Sequence, residues 1–567
     1  MVQTQALISN ALEPRWDIQI PRHQAWVNPD EMLWQALARA RGQAETVYTA
    51  KAQKTQLHTV PTHPQVEAAL GRVQQALVQG QKILVCGDYD VDGMTGTALL
   101  VQGLSRLGAK VQWFLPHRFR DGYGLAEQAI RLAQQEGCTV LITADCGISD
   151  YERVQIAQQV GVDVVITDHH RLPEQLPPAC AIFHPAVYGA SFQGISGAGT
   201  AFKFLCLLAQ RHYPQHDFSD LLDLVALGTI ADVSPMVLEN RLLCKLGLEA
   251  LNENSRPGLR ALAKVAGREA PFNEYDIGFV FGPRLNAAGR MDHAADALRL
   301  LLASNVATAM PLAQRLEKLN QDRRRLTELI FQQGLAQAGA SQPYGLALFD
   351  PSWHAGVVGI VASKFVDAFG CPVVLMSQAD RVVRGSGRSI PEVDMFALLR
   401  QSNPGFDSFG GHAQAGGFAL KPEKVPEFQK RFDEATRMLA KAHVGPRIKA
   451  DAWVTVEHLN LREAQALDQL RPYGLENNEP LFACGNITLK QVRAVGRDGQ
   501  HAKLGLEAQT PQGRIGFEGI GFGLLSRACR MAGPVDILFS MGINRYMGAT
   551  SLQLVVKDLR PASATGA

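Results

Sequence analysis

The sequence predicts a multidomain α/β protein that ends in a small, mainly β unit. Three observations predict it. At 567 residues and 61.7 kDa the chain exceeds what one hydrophobic core holds, so two to four domains are expected. Between residues 70 and 185, short apolar runs alternate with helix-length segments, the pattern of a mostly parallel sheet covered by helices. Residues 446–567 lose that alternation and keep short strand-like runs, for which a barrel is one arrangement.

The elements follow in order. Residues 1–69 read as an extension, with Trp16, Trp26 and Trp34 available to pack it onto the body. A helix near 66–79 leads to the apolar run 82–86 and then to Gly87-Asp88. A helix near 95–107, a strand at 111–115, a helix near 125–136, a strand at 139–143, a helix near 150–160 and a strand at 163–167 complete the first unit. Residues 194–310 are more helical, and a long helix from Val306 to about Gln337 is a candidate rigid connector. A second α/β pattern starts near Pro343, with strand-like runs at 345–349 and 372–376 around a helix from His354 to Phe369.

Composition excludes several classes. Hydrophobic content of 46% and charged content of 19% mark a folded chain. Lys plus Arg is 56 against 54 Asp plus Glu, so the net charge of +2 does not by itself point to nucleic acid. Nine cysteines without a CxxC pair suit reduced thiols, not a zinc cluster or disulfide scaffold. No basic-then-apolar leader opens the sequence and no run reaches the ~20 apolar residues of a membrane span, so a cytoplasmic protein without a membrane partner is expected. No Walker A pattern is present, and the glycines at 194–199 lack the dinucleotide-binding spacing.

The strongest local feature is Asp88-Tyr89-Asp90-Val91-Asp92-Gly93, directly after a buried-strand pattern. Asp145 follows a later strand, and Asp168-His169-His170 follows the next. In an open parallel sheet these groups share the C-terminal edge, where ligands bind. Asp232 follows the apolar segment 221–230. Clustered carboxylates repel unless a hard cation compensates them. Acids with imidazoles suit manganese, or magnesium with less preference for imidazole. Two such ions activate water and clamp phosphoryl oxygens, so a metal-dependent phosphoesterase is the expectation from the residues alone. Each residue also has a plain structural reading: helix capping for Asp145 and Asp232, turn hydrogen bonds for Asp92, ordinary loop histidines for His169 and His170. Two further elements combine tight backbone with guanidinium groups: 281–290, with Arg284 and Arg290, and 384–389, with Arg388 and Ser389. Arginine offers bidentate contacts to phosphate. Gly410-Gly411-His412 would bring backbone N–H groups close to an anion.

These motifs resemble the DHH phosphoesterase superfamily and, within it, the bacterial RecJ single-strand exonucleases. Asp168-His169-His170 is similar to the family's naming motif, Asp88 to Gly93 to its first motif, Asp145 to its second acid and Ala231-Asp232 to its fourth motif. The resemblance implies metal binding by Asp88, Asp90, Asp145, His169, His170 and Asp232, with Asp145 as a bridge between two divalent ions, Mn²⁺ preferred or Mg²⁺. Asp92 and Asp168 then orient ligands or support the loop. Arg118 to Leu125, Pro283 to Arg290, His354 to Gly359, Gly387-Arg388-Ser389 and Gly410-Gly411-His412 also resemble that family, and imply phosphate binding by Arg118, Arg284, Arg290, His354, Arg388, Ser389, Gly410, Gly411 and His412. Leu470 to Phe482, Val495-Gly496-Arg497 and His501 resemble its oligonucleotide-binding (OB) fold domain.

The resemblance thus implies a DHH catalytic domain over 70–305, a connecting helix over 306–338, a DHH-associated domain over 339–445 and an OB-fold β-barrel over 446–567. It further implies hydrolysis of single-stranded DNA from the 5′ end to 5′-mononucleotides in repair and recombination, by a monomer that works with a single-stranded-DNA-binding protein and a RecQ-type helicase. The alternatives are a phosphodiesterase for short RNA or cyclic dinucleotides and a non-catalytic nucleic-acid scaffold. Departures from the family pattern are Cys86 where His is often expected, Ala144 where Val is commoner, and the run Tyr473 to Asn478.

Overall fold

The structure, a computed structural model, describes residues 15–20, 31–42, 57, 59–339, 344–379, 381–439, 447–496, 499–546 and 549–562. Trp26, Pro343 and Arg497 lie outside them. Strand β1 (Arg15–Ile20) does not belong to the sheet that follows it in sequence; it pairs in parallel with a strand at 447–453. The first α/β unit is a five-stranded sheet of β2 (Lys82–Gly87), β3 (Lys110–Phe114), β4 (Cys138–Ala144), β5 (Asp163–Thr167) and β6 (Ala181–Phe183), all parallel, in the order β3-β2-β4-β5-β6. Ile83, Leu84, Val85, Val140, Leu141, Ile142, Val164, Val165 and Ile166 are fully buried. Their successive side chains feed cores on opposite faces of the sheet. This explains why the strands read as continuous apolar runs without alternation. Each such aliphatic side chain contributes roughly 1.5–3 kcal/mol by leaving water. The chain leaves β2 toward β3 on one side and returns to β4 on the other, so the strand order reverses between β2 and β4. Ligand crevices form at such a reversal.

Helix 197–212 packs on this sheet, helix 222–231 packs on helix 197–212 and on the helix Val91–Arg106, and helix 238–253 packs on 222–231 in turn. Further helices carry the chain to the 33-residue helix Val306–Ala338. That helix leads into a second sheet of β7 (Leu346–Phe349), β8 (Val373–Ala379), β9 (Val382–Arg388), β10 (Ser408–His412) and β11 (Ala415–Leu420), in the order β10-β11-β9-β8-β7. The two glycine-rich elements are strands of this one sheet, with Gly387 opposite Gly416 and Gly410 opposite Gly417. Several of their glycines answer to packing: a Cβ on Gly385 would lie 2.2 Å from the Phe418 ring, and one on Gly387 would lie 2.7 Å from the Met395 sulfur.

The C-terminal unit contains β12 (Arg447–Trp453), β13 (Phe482–Val495), β14 (His501–Thr510), β15 (Gly513–Gly521), β16 (Val535–Tyr546) and β17 (Ala549–Pro561). The order β13-β14-β15-β17-β16 closes through a β13–β16 pairing into a five-stranded barrel. β12 and β1 extend the sheet outward from β13. Residues of the N-terminal segment therefore belong physically to this unit. The Trp16 indole N–H donates to Asp558 at 2.7 Å, and Leu33, Trp34 and Leu37 complete the barrel-side core.

Candidate metal centre

The centre is built where β2, β4 and β5 end. Asp88 follows β2 and is buried. The helix after it starts at Val91, four residues earlier than the sequence pattern suggests, because the Asp90 carboxylate caps it by accepting from Gly93 N–H at 3.1 Å. Gly93 is required there: a Cβ would lie 2.6 Å from the Asp88 nitrogen. Asp92 falls in the first helical turn and accepts from the N–H groups of Gly197 (2.6 Å) and Ala198 (2.9 Å). The glycine element at 194–199 is thereby explained. It is the N-terminus of the helix Gly197–His212, pressed so close to the acids that a Cβ on Gly197 would lie 2.5 Å from Asp145.

Asp145 follows β4 with φ 63°, a left-handed backbone that costs a non-glycine residue energy and is kept where surroundings enforce it. Its N–H is held by Thr167 O at 3.0 Å. After β5, Asp168 is fully buried and belongs to none of the converging ligand sets at the centre. It accepts from Ile148 N–H (3.0 Å), His169 N–H (2.7 Å) and the His170 ring at 2.8 Å. Burial alone would raise its carboxyl, but the His170 hydrogen bond and the two neighbouring imidazoles hold it down at about 2. Asp168 thus fixes the pair His169-His170. Asp232 is the exposed C-cap of the helix Leu222–Ala231, braced by the Ser234 hydroxyl at 2.6 Å.

Three sets of ligand atoms converge to within 4.8 Å: Asp88, Asp90 and Asp145; Asp145, His169 and His170; and Asp92, His169 and Asp232. The electrostatics are those of uncompensated negative charge. Burial first, then neighbouring carboxylates, raise Asp88, Asp92 and Asp145 well above the ordinary carboxylate range. Desolvation lifts Asp232 to about 6. Burial, then the charge of His170, pushes His169 down to about 4. For His170 burial is outweighed by Asp168 and the other acids, which lift it to about 9. Asp88 Oδ1, Asp145 Oδ1 and His169 Nε2 are buried without a hydrogen bond, although the last two lie 3.0 Å apart. Buried polar atoms of this kind are rare unless something else satisfies them. Carboxylate oxygens and imidazole nitrogen aimed at a common space fit a hard divalent cation.

Beside the acids lies the opposite charge. Arg290 is pushed down to about 10 by burial and by Arg118 and Arg388; Arg388 is lowered by burial and by Arg118. The Arg118 guanidinium lies 4.8 Å over the Tyr89 ring. Arg388 donates to Ser386 Oγ and Gly387 O, and among the described residues Arg290 reaches only Gly356 O, at 3.4 Å. The second α/β unit supplies Arg388 from β9, where a Cβ on Gly359 would lie 3.0 Å from its guanidinium, and presses against Arg290 through the helix Ala355–Phe369: a Cβ on Gly356 would lie 2.1 Å from Arg290 O. His354 caps that helix and packs edge-on against Phe119. Ser389 is buried with an unsatisfied hydroxyl. Gly410, Gly411 and His412 form an exposed hairpin edge, with Gly411 at φ 143° opposite Ala415 O.

Arg284 stands apart from the other expected phosphate ligands. Its guanidinium is tied to Glu317 of the long helix at 2.5 Å and to Val280 O. Two groups at the site were not singled out from the sequence. Tyr123 places its hydroxyl 3.0 Å from His170 Nδ1, and Asn286 accepts from Val91 N–H. Both lie inside segments noted for their arginines, and that position was the only signal.

Parallel α/β sheet, acid-lined strand ends and a docked second sheet together define a member of the DHH family. The description "DHH family, N-terminal domain" matches residues 82–229, "DHHA1 domain" matches 342–438 and "RecJ OB domain" matches 450–558. The single-stranded-DNA-specific exonuclease RecJ of Escherichia coli (strain K12) is 35% identical over 88% of this chain and 90% of its own length. The Bacillus subtilis (strain 168) RecJ is also 35% identical, over 87% of this chain, which spans 63% of that relative's length. The crystal structure of RecJ in complex with Mn²⁺ from Thermus thermophilus superposes with a TM-score of 0.80 over 97% of this chain and 80% of that one, at 29% identity. The chain belongs to the RecJ family of single-stranded-DNA-specific exonucleases.

Proposed function

We propose that the chain is a divalent-metal-dependent exonuclease that degrades single-stranded DNA from its 5′ end to 5′-mononucleotides. One observation carries the reading: an acid–imidazole cluster with buried, unsatisfied ligand atoms lies against a half-buried cluster of arginines without carboxylate partners among the described residues. A scissile phosphodiester next to a terminal phosphate matches that pair of sites. Relatives with this name, and solved RecJ structures with Mn²⁺ or Mg²⁺, support the chemistry.

Asp88, Asp90, Asp145, His169, His170 and Asp232 would hold two divalent ions, Asp145 lying in two of the three converging sets. When bound, the ions supply Lewis acidity toward water and the phosphoryl oxygens. The chain's own groups do the rest. Asp168 and Tyr123 fix the His170 ring. Asp92 locks the acid loop to the helix at Gly197. Arg118, Arg290 and Arg388 would grip phosphate oxygens, with Ser389 offering a hydroxyl and His354 the end of its helix. Gly410, Gly411 and His412 would track the next phosphate on an open edge. Arg284 is assigned a bracing role against Glu317 and no phosphate contact. The barrel would hold the strand further from the cut. A helicase of the RecQ type that opens duplex, and a protein that coats single strands, are the partners such an activity calls for in repair and recombination; the enzyme is taken to act as a cytoplasmic monomer. No described helix is long and apolar enough to cross a membrane.

Long DNA labelled separately at each end, single- and double-stranded, tests this with Mn²⁺ or Mg²⁺. Immediate release of labelled mononucleotide from the 5′ single-stranded end is expected. Release only from the 3′ end, or cleavage of dinucleotides alone, would sink the reading.

A further inference from the structure

We propose that Tyr275 and Phe279 form a base-stacking platform for the single strand, in the catalytic unit itself and apart from the barrel. The proposal rests on the exonuclease reading and adds a binding residue pair to it. The two rings are stacked on each other, centroids 4.8 Å apart with 25° between planes. They are 57% and 68% exposed. Four residues of separation on a helical segment puts both on one face.

The backbone beneath them is immobilised. An Asn273–Asp276 capping box starts the turn, Asp276 is paired with Arg268, and the opposite face buries Ile277, Val280 and Phe281. The segment widens there into a π-turn, a geometry that recurs at functional sites. Both rings face solvent, and neither belongs to the buried core beneath them.

Position selects the occupant. Gly278, between the two rings in sequence, lies against Ile230, two residues before Asp232 of the metal centre. Glu274, on the other side, holds Arg471 and the Tyr473 N–H of the segment that enters the barrel unit. Val233, next to Asp232, is exposed with φ 59°, and Leu238 is exposed with φ 47°. Left-handed backbone at a β-branched residue is strained. Between them Met236 N–H bonds Leu475 O, whose own side chain is exposed. The surface between the metal centre and the barrel thus carries exposed apolar and aromatic side chains, and beside them the Glu274–Arg471 pair and the Met236–Leu475 hydrogen bond tie the two units together. A single strand that is cut at one and held at the other crosses it, and unpaired bases bring flat apolar faces that stack on aromatic rings.

The test uses the full-length enzyme with Mn²⁺ and single-stranded oligonucleotides in which each successive nucleotide in turn is abasic. Wild type should show a window of one or two positions where loss of the base raises KM about tenfold, within the range for one base on one aromatic residue. Tyr275→Ala/Phe279→Ala should have that higher KM on intact DNA, unchanged kcat, and no abasic window. Tyr275→Phe/Phe279→Trp should restore both. A double alanine variant with wild-type KM, or with the window intact, overturns the proposal and leaves the patch to a protein partner. Wild type that fails to degrade single strands at all would instead sink the exonuclease reading on which the proposal stands.

Discussion

The acid cluster and the arginine cluster lie side by side with opposite charge, the acids mostly at the strand ends of the first sheet and the arginines on a loop, a helix end and a strand of the second sheet, and burial disfavours the charged form in both. Asp88, Asp92 and Asp145 are raised well above the ordinary carboxylate range, while Arg290 and Arg388 are lowered from the guanidinium range. Burial is the first cause in all five. Yet the two clusters do not neutralise each other through ion pairs among the described residues; Arg118, Arg290 and Arg388 bond only to backbone or hydroxyl oxygen, or lie over a ring. Elsewhere the same chain pairs its buried charges directly, as in Asp223 with Arg256 at 2.5 Å and Glu239 with Lys203 at 2.6 Å. The difference teaches that the two clusters are held apart for ligands of opposite sign, a cation on one side and a phosphate on the other.

That separation is open to being broken from either side. The largest effect is expected from Asp145→Ala, which removes the carboxylate common to two converging sets: degradation of single-stranded DNA at saturating Mn²⁺ should fall at least ~10²-fold. Arg388→Ala removes one cation from the other cluster. Its kcat/KM should fall about tenfold, as loss of a charge-assisted hydrogen bond implies, and the fall of binding with salt should become less steep. Arg284→Ala sharpens the contrast, because Arg284 carries a paired charge. It should lose ~1 kcal/mol or more of stability in denaturant titration while KM stays within about twofold.

The smallest effect concerns pH. Asp232 in the metal-free fold has its pKa raised to about 6, above the unfolded value. Stability from that group is therefore fully present below the ordinary carboxylate pKa and is lost as pH rises toward about 6. In chelator, Asp232→Asn should flatten the decline of Tm across that window relative to wild type, as calorimetry would show.

Much of this contrast was legible in the sequence, for local reasons. Asp88, Asp145 and Asp168-His169-His170 each follow a strand whose apolar run is plain, and parallel topology brings those ends to one edge. Arg118, Arg290 and Arg388 stood in short glycine- or arginine-bearing segments. What escaped depends on partners distant in the chain. Nothing near Asp92 announces that it caps a helix 105 residues away, and nothing near Arg284 announces Glu317. The same holds for β1, whose partner strand lies more than four hundred residues further on, so residues 1–69 read as a separate extension. Tyr275 and Phe279 carry no motif. Their exposure became visible only once the inner face of their turn was seen to be packed.

The central claim is that the buried acids are a cation site left in electrostatic tension without one. Thermal unfolding of wild type and Asp145→Asn, each in chelator and in Mn²⁺, tests it most directly. Without metal the variant should melt above wild type, because one repelling buried charge is gone. With Mn²⁺ wild type should gain several degrees and the variant little. A wild type indifferent to Mn²⁺, or a variant that melts lower in chelator and gains as much from the ion, would contradict it.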